Sequence, residues 1–98
     1  MTVVIYGRYP FSVRDTDAAL RLCADVGRQA VMGAMFPDGE TLVFRTGAVL
    51  FDSYSAYEQL GRALEYNAGI IVRFWAAAAL CAEPAHTDHD TVEQAQLL

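Results

Sequence analysis

Residues 69–82, GIIVRFWAAAALCA, decide the fold of this chain. They form its densest apolar run and hold a single charge, Arg73. Ile70, Ile71, Val72, Phe74 and Trp75 are β-branched or aromatic, the types that suit a packed, pleated surface. Residues 76–79, all alanine, and Leu80 are helix formers. Asn67 and Gly69 tolerate the left-handed backbone that ends a helix, and Pro84 stops regular structure. This reading gives a strand over 69–75 running into a short helical turn. The competing reading is one buried helix through the whole run. Periodicity does not separate the two where nearly every position is apolar. The run is shorter than the ~20 apolar residues of a membrane span, and Arg73 falls inside it, so no transmembrane helix is expected.

Upstream of that run, residues 52–67 read as a helix. Ser55 with Glu58 fits a capping box, Tyr57, Leu60, Gly61 and Leu64 give an apolar stripe, and Glu58 and Arg62 pair at i, i+4. Gly61 costs helix stability, which close approach to a sheet would justify. Further back, residues 41–45 (TLVFR) and 30–36 (AVMGAMF) read as two strands of a hairpin around Pro37-Asp38-Gly39, a turn in which Pro presets φ and Gly takes positive φ. Thr46-Gly47 is a bulge or tight turn, and residues 48–51 extend the third strand or form a short extra one. A first helix over 15–29 is capped by Asp15 or Thr16. It buries Ala19, Leu22, Cys23 and Val26 and turns Asp17, Arg21, Asp25 and Arg28 to solvent. Residues 2–8 (TVVIYGR) read as the first strand, ended by Tyr9-Pro10.

The resulting order, β-α-β-β-α-β, is that of a ferredoxin-like α+β sandwich: an antiparallel sheet with two helices on one face. Residues 1–84 form one domain, and residues 85–98 a polar tail with a short helix capped by Asp90.

Composition bounds the function. The chain has 98 residues, 54% of them hydrophobic, and a formal charge of −5. A domain this small has little interior for so much apolar material, which points to self-association or a permanent protein partner. The acidic balance, with no lysine, argues against nucleic acid, whose phosphates need clustered cations, and favours a basic partner surface. Cys23 and Cys81 read as free thiols in a reducing compartment. The N-terminus lacks the basic region and cleavage site of a secretory signal, so a cytoplasmic location is expected.

The strands supply the sharpest expectation. A sheet covered on one face should alternate apolar and polar residues; these strands are apolar on both parities. An apolar face of that size is an interface or a binding groove. The parity that carries polar groups places Tyr6, Arg8, Arg45, Arg73 and Trp75 on the uncovered face, where arginines beside aromatics suit a partner's carboxylates or a small anionic ligand.

Other chemistry is thin. His86, Asp88 and His89 are metal-ligand types, but their spacing matches no zinc pattern, and a solvated tail explains them. Cys23 lies on an inner helix face, where a thiol is inert. Ser12, Ser53 and Ser55 lack a nucleophile-elbow context. No phosphate-binding glycine motif occurs, and no cofactor is expected. The sequence therefore favours a non-catalytic interaction module working through an apolar sheet face, as a homodimer or docked on a larger assembly. The alternative is a small dimeric enzyme or anionic-ligand-binding protein with a pocket on that face.

Overall fold

The computed structural model describes residues 1–83. The expectations for Pro84 and the tail, including the metal-ligand types His86, Asp88 and His89 and the cap at Asp90, lie outside the described residues. Six elements form: β1 Thr2–Arg8, α1 Thr16–Gln29, β2 Ala34–Asp38, β3 Thr41–Val49, α2 Ala56–Arg73 and α3 Trp75–Leu80. The strands make one antiparallel sheet in the order β1-β3-β2.

The first helix follows its sequence signals. Asp15 caps it, its carboxylate accepting from the Ala18 amide at 3.0 Å, and Ala19, Leu22 and Val26 are buried. At the β2–β3 turn Gly39 takes φ +62°, in the two-residue loop between the paired Asp38 and Thr41. A glycine with positive φ at the first of the two loop positions suits a hairpin.

Strand β2 begins four residues later than the sequence reading placed it. The backbone amides of Val31 and Met32 donate to the Tyr66 hydroxyl on α2, at 2.7 and 3.2 Å. Gly33 then turns with φ +100°, and a Cβ there would collide with the Arg45 carbonyl. Only from Ala34 can the chain pair with β3. Neither the bulge nor the tight turn expected at Thr46-Gly47 forms; β3 runs unbroken to Val49 opposite Thr2.

The larger correction concerns residues 69–75. They do not form a strand. Helix α2 continues through Arg73, and Phe74 donates its amide to the Ile70 carbonyl at 3.1 Å. The inward positions explain why. Ala63, Asn67 and Ile70 are the buried residues of α2, at helical spacing. Asn67 is no terminator. It sits inside the helix, 4% exposed, and donates its side-chain amide to the Phe44 carbonyl at 2.9 Å and the Thr46 hydroxyl at 3.1 Å. A residue held this way cannot take the left-handed conformation of a helix end. The stripe therefore differs from the expected one: Tyr57 is 89% exposed and Leu64 49%. Ser55 makes no capping bond; the Asp52 carboxylate instead accepts from its amide and hydroxyl.

Close approach to the sheet occurs at Gly7, not at Gly61. A Cβ on Gly7 would run into Asn67 and lie 2.8 Å from Ile71, whereas one on Gly61 would meet nothing within 4 Å. At Phe74 the helix axis breaks, and α3 carries the chain back to the start of α1. There the Cys81 carbonyl accepts from the amides of Arg14 and Asp15, at 2.9 and 3.0 Å.

The result is a small α+β protein: a three-stranded antiparallel sheet with helices packed on one face. The core between the layers joins Tyr9, Leu22, Val26, Met35, Phe44 and Ile70. The order agrees with the ferredoxin-like pattern as far as α2. Among the described residues the last strand is replaced by helix, so β1 stands at a sheet edge and not between two neighbours.

Candidate functional site: the outer sheet face

The register settles which side chains share a face. Tyr6 lies opposite Arg45, which in turn lies opposite Ala34; Arg8 lies opposite Val43, and Val43 opposite Phe36. Directly opposed residues project to the same side. This side is the outer face, because Gly7, Phe44 and Met35, one step along each strand, meet the helices or the core. Along β1 the burial alternates strictly, Thr2, Val4, Tyr6 and Arg8 being exposed.

The outer face is apolar with a cationic rim. Val4 and Tyr6 are exposed, Phe36 half-buried, and Val43 fully buried between its neighbours. Arg8 reaches across to β2 and pairs with the Asp38 carboxylate at 2.6 Å, also donating to the Thr41 hydroxyl. Both partners are about half exposed, so the pair contributes at most ~1 kcal/mol. Its main effect is to neutralise Arg8 and lay its stem over the sheet. Arg45 is exposed beside Tyr6, and its guanidinium makes no ion pair or hydrogen bond among the described residues. The chain is acidic overall, yet this face presents an exposed arginine.

The structure separates the five residues singled out in the sequence. Tyr6, Arg8 and Arg45 share the outer face. Arg73 and Trp75 belong to the helical layer on the opposite side of the sheet. Arg73 donates to the Gln29 side chain at 2.7 Å and lies 5.3 Å from the Phe74 ring. Trp75 packs edge-on against Phe11 and Tyr9, at 5.1 and 5.7 Å between ring centres. Both follow from the helix over 69–73: strand parity no longer applies, and the two side chains serve packing between α1, α2, α3 and the loop after β1.

A cleft of about 460 Å³ lies at the other end of the molecule, lined by Met1, Leu50, Phe51, Asp52, Ala56 and Tyr57. None of the five residues lines it. The sequence reading missed it because Phe51 read as the end of a strand and residues 52–57 as a helix start; the signal was the concentration of aromatics there, with Phe51, Tyr54 and Tyr57 all strongly exposed. Its one carboxylate, Asp52, is held below the usual carboxylate range by the Ser55 amide and hydroxyl.

Nucleophilic groups are quiet. Cys23 and Cys81 are free thiols, and burial pushes both up from their ordinary values, away from the thiolate a nucleophile requires. Among the described residues no cluster of His, Cys, Asp or Glu could hold a metal ion, and no helix is long and apolar enough to cross a membrane. No family model, curated protein or solved structure matches the chain.

Proposed function

We propose that the chain is a non-catalytic protein-interaction module that buries the outer face of its sheet against another protein surface, as a homodimer or docked on a larger assembly. One observation carries this reading. The helices lie on one side of the sheet, and no described element pairs or packs over the other at Val4, Tyr6 and Phe36, which form an apolar strip beside Arg45 with Val43 buried beneath its neighbours. Aromatic and arginine side chains at the centre of an apolar patch are the groups that carry binding energy at interfaces. The free thiols fit a reducing, cytoplasmic setting.

The test compares wild type with the face variant Tyr6→Glu/Arg45→Glu, both for solution mass and for the proteins each captures from an extract of its source cells. The variant is expected to lose association, either as lower mass or as the absence of a captured partner. A folded variant that keeps both the wild-type mass and the wild-type set of captured proteins overturns the reading.

A further inference from the structure

The two edges of the sheet differ. Met1 and Leu50 exchange hydrogen bonds in both directions, and the Tyr9 amide donates to the Leu42 carbonyl. With the register of β1 on β3, the odd-numbered residues of β1 therefore point their backbone groups at β3. Thr2, Val4, Tyr6 and Arg8 point theirs outward, because bonding direction alternates along an antiparallel strand. By the same alternation the outward residues of β2 are Met35 and Pro37. Pro37 has no N–H to offer, which blocks strand addition on that edge. The β1 edge has no such guard. It holds six residues without proline or charge before Arg8, and no described strand pairs with it.

A second feature lies along the same edge. Ile71 of α2 stands over Gly7, and Tyr57 lines the cleft together with Met1 at the other end of β1. Between them Leu64 and Ala68 continue one stripe at helical spacing. Tyr57, Leu64 and Ala68 are exposed. An unpaired strand edge and an unpartnered apolar helix flank thus run side by side.

We infer that a second copy of this chain pairs along that edge, β1 antiparallel to β1 about a two-fold axis at Ile5. The register is self-complementary. Thr2 meets the partner's Arg8 and Val4 the partner's Tyr6, so all the outward amides and carbonyls of Thr2, Val4, Tyr6 and Arg8 find partners. No like charges face each other, since Arg8 lies opposite threonine. The α2 flanks of the two copies then close over the seam on the inner side. On the outer side the two faces join into one continuous surface. The seam is made by backbone groups of β1 and the outer face by side chains of the sheet, so Arg45→Glu, on β3 and away from the seam, separates the two.

The test is amide hydrogen exchange of intact wild type, read residue by residue across a dilution series alongside solution mass. At concentrations giving twice the 10.7 kDa chain mass, the Val4, Tyr6 and Arg8 amides are expected to be protected, losing that protection at least about tenfold as dilution yields monomer. Val4→Pro, which removes an outward N–H and no bond to β3, is expected to give a folded monomer, and Arg45→Glu to keep the dimer. Edge amides that exchange freely in a dimer, protection that persists in a monomer, where residues 84–98 would then be the occupant, or a chain that stays monomeric throughout each overturn the inference. So does a folded Val4→Pro dimer; if that variant does not fold, the wild-type exchange decides.

Discussion

The side-chain amide of Asn67, in the middle of α2, donates to the backbone carbonyl of Phe44, in the middle of β3, at 2.9 Å. This bond between layers, with a second at 3.1 Å to Thr46, fixes the rotation of α2 on the sheet. Burying an amide is favourable only when it is bonded. Asn67→Ala should leave the buried Thr46 hydroxyl without its partner and remove one of the two bonds to the Phe44 carbonyl, which keeps the Gly7 amide of the ladder, at a cost of about 1–2 kcal/mol, the range for a lost buried partner. Urea unfolding of the variant measures it. A change within ~0.5 kcal/mol would show that the network does not hold the layers.

Two glycine substitutions separate close contact from helix propensity. Gly7→Ala drives a methyl into Asn67 and Ile71 and should destabilise by about 1–3 kcal/mol. Gly69→Ala adds a methyl in open space within α2 and should stabilise by about 0.5–1 kcal/mol. Thermal melts of both variants give the signs. A destabilised Gly69→Ala would contradict a helix through this position.

Tyr9 predicts an alkaline limit. Its ring is 1% exposed, its hydroxyl donates to the Ile71 carbonyl at 2.8 Å, and burial pushes its pKa up to about 12. The folded state therefore favours the neutral phenol. That contribution is complete below the unfolded value near pH 10 and is lost as pH rises through about 12. Tyr9→Phe should be less stable than wild type at pH 7, by about 1 kcal/mol for the missing bond. The gap should close as pH rises from about 10 toward 12. A gap that widens there would contradict a buried neutral tyrosine.

How much of this was legible in the sequence depends on where the signal lay. The face of α1 and the Asp15 cap were readable because local spacing and local chemistry agree there. Three outer-face residues, Tyr6, Arg8 and Arg45, were readable because strand alternation is rigid. Arg73 and Trp75 were misplaced with them because GIIVRFW has β-type residues at five of its seven positions while its partners lie far away in sequence. Gly7, Phe44 and Thr46 hold α2 in place through Asn67, and none of those contacts leaves a mark within residues 69–75. The asymmetry of the sheet edges was equally hidden. Pro37 reads as a turn residue until the register shows which way its missing N–H points.

The central claim is that the outer sheet face is buried in the working protein, and covalent labelling of Tyr6 tests it most directly. Tyr54, wholly exposed in the chain, serves as the internal standard. Labelling is compared between dilute purified protein and undiluted extract of its source cells. The account predicts that Tyr6 reactivity falls several-fold in the extract relative to Tyr54, with Phe36 falling alongside it. Equal reactivity of Tyr6 in both settings would mean that the face stays open to water, and would contradict the account.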